Sequence, residues 1–223
     1  MKEEPVTADC AAILRAREHV VIGVSPFNSY FTEEKIADLI NWAKEKFRAF
    51  HIYVPDGPSQ FTLEALGYPE NKARKKASRQ GRWLLNKIRR ALSVAGLEDA
   101  AAEQLILCSK SLEHDEAYRR LSQEVDAICA AESSFYEGCV ETSRWVLNGQ
   151  AGGPGEVTRE MLESAVRYFK AELPLFMNSP AIVGAPSSVF SYHQCPPFLE
   201  SLFQTRRGEI VSERQGFVKI TVA

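Results

Sequence analysis

The sequence predicts an α/β fold built on a mostly parallel sheet covered by helices. Three observations carry that reading. Short apolar runs rich in β-branched residues recur along the chain, segments of helical periodicity separate them, and 223 residues suit one α/β domain, taken here as residues 1–223. Val20–Val24 is the first such run and reads as a buried strand. Thr32 is placed to cap the following helix, with Glu33 and Glu34 in its first turn, where carboxylates suit the positive end of the helix dipole. Ile36, Leu39, Ile40, Ala43 and Phe47 follow at helical spacing.

Phe50–Val54 is a second strand, stopped by the turn signal Pro55-Asp56-Gly57-Pro58. A short helix over Phe61–Leu66 ends at Gly67-Tyr68-Pro69, and a long helix then runs to about Ala95. Gln104–Leu107 reads as a third strand. Asp115–Leu147 reads as two helices broken near Glu132–Ser134, and the Gly-rich Asn148–Glu156 as a loop. Thr158 caps a helix expected to run through Glu172 and to end at Pro174. Ser188–Tyr192 and Gly216–Val222 are further strands, with a helix over Pro197–Gln204 between them.

Composition excludes several classes. The chain is 45% hydrophobic and 25% charged, as in an ordinary globular protein. No apolar run approaches the roughly 18 residues that would cross a bilayer, and the polar N-terminus lacks the apolar core of a signal peptide, so a cytoplasmic protein is expected. The five cysteines are scattered and none forms C-x-x-C, which points away from a zinc site or a disulfide framework, and no cofactor is expected.

Charge is distributed unevenly. Nine basic residues and no acidic one lie between Lys72 and Arg90; the net charge is −2, so the rest of the chain carries −11. On a helical wheel Ala77, Leu84, Leu85, Ile88 and Leu92 share one face. Lys72, Lys75, Lys76, Arg79, Arg82 and Arg90 cluster opposite, with Trp83 among them. A charge run is commonly a solvated face. Such faces usually mix signs, though, and a single-sign stripe with an aromatic fits a polyanion backbone better.

Three short stretches suggest chemistry. Ser25 stands at the mouth of the first strand, in His19-Val20-Val21-Ile22-Gly23-Val24-Ser25, where α/β enzymes often present a nucleophile or a ligand contact. Tyr168 and Glu172, at i and i+4, share a helix face. Such a pair is either an ordinary surface contact or a phenol and carboxylate able to hold an ammonium group and exchange its proton. Tyr192-His193 ends another strand. No general base for Ser25 is apparent: His19, six residues earlier on the same strand, lies roughly 20 Å away and reads as structural.

Taken together, His-x-apolar-apolar-Gly-apolar-Ser (His19–Ser25), Tyr-apolar-x-x-Glu-x-Pro (Tyr168–Pro174) and Tyr-His (Tyr192-His193) resemble the cyclodipeptide synthases. These enzymes make cyclic dipeptides from aminoacyl-tRNAs. Asn28, Tyr192 and His193 match the subfamily named for an Asn, a Tyr and a His. The resemblance implies a single Rossmann-like domain similar to the catalytic domains of tyrosyl- and tryptophanyl-tRNA synthetases, acting as a monomer without ATP. The sequence has no Walker A loop and neither of the adenylate signatures HIGH and KMSKS. The resemblance further implies aminoacyl transfer to Ser25, amine binding by Tyr168 and Glu172, proton relay by Tyr192 during ring closure, and tRNA binding by the basic helix.

Gly23, Asn28 and His193 are then expected to shape and support the serine loop, and Tyr118 to bind substrate. Val21, Val54, Leu175 and Phe176 are expected around the first aminoacyl side chain, with Thr142 and Cys195 facing the second. Two other readings stand beside this one. A serine hydrolase lacks support from G-x-S-x-G, because Phe27 occupies the place of the last glycine. A non-catalytic tRNA-binding protein explains the basic helix but not Ser25, Tyr168, Glu172 and Tyr192 as a set.

Overall fold

The computed structural model describes residues 1–97, 99–149 and 157–222. Its elements in chain order are β1 (Lys2–Pro5), α1 (Ala8–Ala16), β2 (His19–Gly23), α2 (Glu33–Lys46), β3 (Ala49–Tyr53), α3 (Ser59–Ala65), α4 (Glu70–Val94), α5 (Asp99–Gln104), β4 (Ile106–Leu107), α6 (Ser109–Leu112), α7 (Glu116–Ala131), α8 (Ser133–Asn148), α9 (Arg159–Val183), β5 (Ser188–Tyr192), α10 (Pro197–Thr205) and β6 (Gln215–Thr221). The six strands form one sheet in the order β1-β6-β5-β2-β3-β4, parallel except where β1 pairs antiparallel with β6.

Alternation along the central strands divides the core in two. Val20 and Ile22 of β2, and Phe50 and Ile52 of β3, face Ile36, Leu39 and Ile40 of α2 and Leu84, Ile88 and Leu92 of α4. Val21 and Tyr53 point to the other face and pack with Val125, Phe135, Phe169, Leu173 and Phe176 from α7, α8 and α9. The expected caps are present: the Thr32 hydroxyl accepts from the Lys35 N–H, and the Thr158 hydroxyl from the Met161 N–H.

Several expectations are corrected. The helix begun by Thr158 does not end at Pro174. It continues to Val183 with Pro174 and Pro180 inside it, and its break lies at Asn178 (φ −159°, ψ 57°). A proline inside a helix costs about 3 kcal/mol, but Leu173, Leu175, Phe176 and Met177 are all buried on this stretch and hold it in register. The break has its own partner, since the buried Gln215 side-chain oxygen accepts from both the N–H and the hydroxyl of Ser179 at 2.7 Å.

The strand expected from Gln104 begins at Ile106, and Gln104 closes α5. Asn148 ends α8 and Gly149 caps it; residues 150–156 of the expected loop lie outside the described residues. Neither β1 nor α1 is evident from the sequence, because β1 is polar and owes its conformation to β6, 219 residues away at the pairing of Lys2 with Thr221. Glu3 secures it, accepting from the Trp42 indole at 2.7 Å and pairing bidentately with Arg17 at 2.7 and 2.9 Å.

His19 is structural, as expected. Its Nδ1 lies 2.8 Å from the Ser188 hydroxyl and its Nε2 lies 2.8 Å from His51 Nδ1, tying β2 to both neighbouring strands. Burial, followed by the proximity of His51, pushes its pKa down from 6.5 to about 3. The folded protein therefore resists protonation that the unfolded chain accepts below pH 6.5. Stability contributed by neutral His19 is complete above that value and is lost as pH falls towards 3. Urea titrations should show a slope of up to about 1.4 kcal/mol per pH unit in this window, shallower in His19→Asn.

Candidate active site

The strand order reverses between β2 and β5. From β2 the chain crosses to β3 on one side, and from β5 it crosses to β6 on the other. Such a reversal leaves a crevice beyond the carboxyl ends of the two strands, where open α/β sheets commonly bind ligands. Ser25 follows β2 and Tyr192 ends β5, so both stand at this crevice. Ser25 opens a tight turn with Pro26 at its second position, closed by the Asn28 N–H donating to the Ser25 carbonyl at 3.4 Å.

A cavity of about 890 Å³ opens there. Gly23, Ser25 and Asn28 line it from the β2 side, Tyr168, Glu172 and Phe176 from α9, Tyr192 and His193 from the end of β5, and Thr142 and Trp145 from α8. Gly23 is required by close approach, because a Cβ at this position would lie 2.7 Å from the Phe190 ring and 3.2 Å from that of Tyr192.

One helical turn brings the Tyr168 phenol to Glu172, where it donates to Oε1 at 3.0 Å. The Ser25 hydroxyl faces the phenols of both Tyr168 and Tyr192. Removal from water dominates the electrostatics. It lifts the Glu172 carboxyl from 4.5 to about 8 against the opposing effect of the Tyr168 hydrogen bond. Burial, then the nearby Glu172 charge, holds the Tyr168 and Tyr192 phenols well above their ordinary range, so both remain protonated donors. A free α-amino group has a pKa of about 7.7–8.0. Burial raises the Glu172 carboxyl towards the range of such an amine, so a proton can pass between the two.

Asn28 braces the rim. Its Oδ1 accepts from the Tyr30 N–H at 2.9 Å and its Nδ2 lies 3.2 Å from His193 Nε2. The Tyr30 ring stacks on His193 at 4.4 Å between centroids, and Phe31 meets it edge-on. Burial, helped by the Lys35 charge, lowers the His193 pKa to about 4. The neutral ring accepts from Asn28, and its buried Nδ1 has no partner among the described residues.

Some expected residues lie elsewhere. Val54 is fully buried on the opposite face of β3, against the α2 and α4 core, because side chains alternate; the neighbouring Tyr53 supplies the cavity wall instead. Val21 is on the correct face but one pleat below Gly23 and fully buried, and Leu175 is buried in the core beside Phe176. Neither lines the cavity, and neither does Cys195, whose thiol points at the Pro196 carbonyl. Tyr118 is likewise outside the lining and donates to the Ala171 carbonyl at 2.9 Å, anchoring α7 to α9 next to Glu172.

Sequence reasoning missed Tyr53. Its hydroxyl is buried near Glu172, Tyr168 and Tyr118 and has no hydrogen-bond partner among the described residues. The available signal was its register opposite Gly23 at the end of the strand, which requires knowing how the strands pair.

On α4, Lys72, Lys75, Arg79 and Arg82 are exposed. Lys76 is half-buried, donating to the Tyr68 hydroxyl at 2.7 Å. Arg90 departs from expectation. Although its own segment holds no acid, Glu33 of α2 meets it at 2.7 Å, and Arg89 is paired with Glu103. The free part of the basic stripe therefore ends before these pairs. Among the described residues, no group of three or more His, Cys, Asp or Glu side chains is arranged to hold a metal ion, and no helix is long and apolar enough to cross a membrane.

The raised Glu172 pKa has a consequence for stability. The unfolded carboxyl ionises near pH 4.5 whereas the folded one keeps its proton to about pH 8. The stability tied to this protonated group is complete below 4.5 and is lost as pH rises towards 8, at up to about 1.4 kcal/mol per unit. Glu172→Gln should match the wild-type protein near pH 4.5 and exceed it in urea titrations at pH 8.

A family model described as cyclodipeptide synthase matches residues 1–222. The cyclo(L-leucyl-L-leucyl) synthase of Bacillus subtilis (strain 168) is 33% identical over 195 residues, covering 86% of this chain and 77% of that protein. The crystal structure of a cyclodipeptide synthase from Bacillus thermoamylovorans superposes with a TM-score of 0.90 at 27% identity, covering 100% of this chain and 96% of that one. A Mycobacterium tuberculosis structure, described as demonstrating that cyclodipeptide synthetases are related to type I tRNA synthetases, superposes with a TM-score of 0.86 at 30% identity over 99% of this chain and 93% of that one. With the family model spanning nearly its whole length, the chain belongs to the cyclodipeptide synthases.

Proposed function

We propose that this cyclodipeptide synthase draws both amino acids from aminoacyl-tRNAs and joins them on Ser25. The observation that carries the reading is the convergence of Ser25, Tyr168, Glu172 and Tyr192 on one cavity at the strand reversal. A cyclodipeptide synthase from Candidatus Glomeribacter gigasporarum, of the same fold at 15% identity and a TM-score of 0.57, is described bound to Phe-tRNAPhe. For this chain, the basic face of α4 offers the corresponding charge.

Aminoacyl-tRNA is already an activated ester, so transfer needs no nucleoside triphosphate. The Ser25 oxygen attacks the ester carbonyl, the bond to the tRNA ribose breaks, and an aminoacyl-serine forms. The serine proton ends on the departing ribose oxygen. In the absence of an imidazole base, a neighbouring ribose hydroxyl relays it. Tyr168 and Glu172 hold the α-amine of the acyl group while the second aminoacyl-tRNA enters.

The second amine attacks the serine ester, and its own ester still joins the resulting dipeptide to tRNA; Ser25 attacks that ester in turn to give a dipeptidyl-enzyme and free tRNA. The terminal amine then attacks the serine ester, closing a six-membered ring and restoring the serine hydroxyl. Glu172, in its ionised form, takes the amine proton; Tyr192, facing Ser25, gives its proton to the leaving serine oxygen and recovers one from Glu172 by way of Tyr168. Asn28 and His193 keep Tyr192 and the serine loop in place, which fits the Asn-Tyr-His subfamily. All of these groups come from a single chain, which supports a monomeric active unit. Phe176 and Thr142 border the space for the two side chains, together with Tyr53.

Incubation of the protein with a pool of aminoacyl-tRNAs without ATP should yield a cyclic dipeptide by mass spectrometry, together with an acyl adduct on Ser25. Ser25→Ala should abolish both; a cyclic product from Ser25→Ala would overturn covalent catalysis at this residue. Gly23→Ala should remain folded by circular dichroism and lose at least tenfold in turnover, because the new methyl displaces Phe190 and Tyr192 from their places beside Ser25.

A further inference from the structure

Tyr30 does not line the catalytic cavity and takes no step in the chemistry above. It nevertheless meets both members of the contact that braces the serine turn. Its N–H donates to Asn28 Oδ1 at 2.9 Å, and its ring stacks on His193 at 4.4 Å between centroids, 13° from parallel. Asn28 Nδ2 donates to His193 Nε2 at 3.2 Å, and the Asn28 N–H closes the turn on the Ser25 carbonyl. His193 in turn touches the next phenol, with its ring 4.4 Å from that of Tyr192.

The Tyr30 hydroxyl reaches a different part of the fold. It accepts from the Val222 N–H at 3.1 Å and donates to the Ile220 carbonyl at 3.4 Å. Strand β6 ends at Thr221, and the phenol takes the N–H of the residue just beyond it. This is a firm point of attachment. β6 is paired with β5 on one edge and β1 on the other, and Ile220 and Val222 are buried in the core on the α2 side of the sheet. The Lys35 ammonium of α2 lies 4.2 Å from the Tyr30 ring centroid and adds a second hold.

Without Tyr30, Asn28 and His193 would be two half-buried side chains on two loops, joined by one hydrogen bond. One hydrogen bond sets a distance but leaves the imidazole plane free to tilt, and a stacked ring fixes the plane. We propose that Tyr30 is a positioning residue for the reaction. It ties β6 to the Asn28–His193 contact, and so holds Tyr192 and the Ser25 turn in place relative to the sheet. The proposal rests on the covalent reading of Ser25 above. It adds to that reading a residue that acts through His193 and Asn28 and touches no substrate.

The test uses three variants. Tyr30→Phe keeps the ring and loses the hydroxyl, Tyr30→Leu loses both, and Val222→Pro removes the N–H that the phenol accepts. Cyclic product and Ser25 adduct are measured with aminoacyl-tRNAs, and the His193 imidazole is followed by NMR, its signals identified by their loss in His193→Gln. Tyr30→Leu should lower turnover at saturating aminoacyl-tRNA about tenfold with KM unchanged. Tyr30→Phe and Val222→Pro should each lose about threefold, and the double variant no more than either alone, because both break the same hydrogen bond. The imidazole signals should shift in Tyr30→Leu, where the stacked ring is gone, and much less in Tyr30→Phe. If Tyr30→Leu fails to fold by circular dichroism, the Tyr30→Phe and Val222→Pro cycle decides. Wild-type turnover in Tyr30→Leu or Tyr30→Phe, losses that multiply in the double variant, or a change in KM alone would overturn the positioning role and leave covalent catalysis standing. No product and no adduct from the wild-type protein would overturn both.

Discussion

The lack of a side chain at Gly23 governs the geometry of the active site. Phe190 and Tyr192 of the neighbouring strand occupy the volume that a Cβ would need, so their rings lie over the end of β2. Tyr192 thereby stands beside the Ser25 turn. Phe190 also sets the position of α9, because Phe176 packs edge-on against it at 4.7 Å, and α9 carries Tyr168 and Glu172. A serine, two phenols and a carboxyl from three separate elements thus share one cavity, with the Phe190 and Tyr192 rings lying over Gly23. The β2 side of the site is rigid, with β2 wholly buried and hydrogen-bonded on both edges.

Burial then alters the protonation of ordinary residues. Glu172 would be a plain anion on a surface helix; removed from water, its carboxyl holds its proton more tightly. The two phenols are kept as proton donors by the same surroundings. His19 and His193 shift the opposite way and remain neutral, one as a tie between strands and one as a brace for the rim. Between about pH 4.5 and 6.5 the buried carboxyl and the buried imidazole therefore pull stability in opposite directions. A protein that keeps an uncharged polar interior for its chemistry carries this cost at both ends of the pH range.

The basic helix combines two roles that its sequence presents as one. Its apolar face builds the core on the α2 side of the sheet. Of the opposite face, Lys72 to Arg82 are open to a polyanion, whereas Arg89 and Arg90 are consumed by Glu103 and Glu33. Trp83 and Lys87 mark the boundary.

Much of this was legible in the sequence because it depends on local physics. Strands β2, β3, β5 and β6, the Thr32 and Thr158 caps, the break between α7 and α8, and the i, i+4 pairing of Tyr168 with Glu172 all follow from periodicity, capping and helical geometry. Other features belong to contacts between residues distant in the chain. The polar β1 is a strand only because β6 lies beside it. Helix α9 passes through Pro174 because the buried residues around it outweigh the lost hydrogen bond. Tyr53, not Val54, reaches the cavity because a strand's register decides which residue faces which side. By itself the sequence determined the secondary structure around the site and the residue types able to carry its chemistry, since both arise from short-range preference. Only the tertiary structure decided which of those side chains meet and what charge they hold, since proximity and exclusion of water are properties of the packed chain.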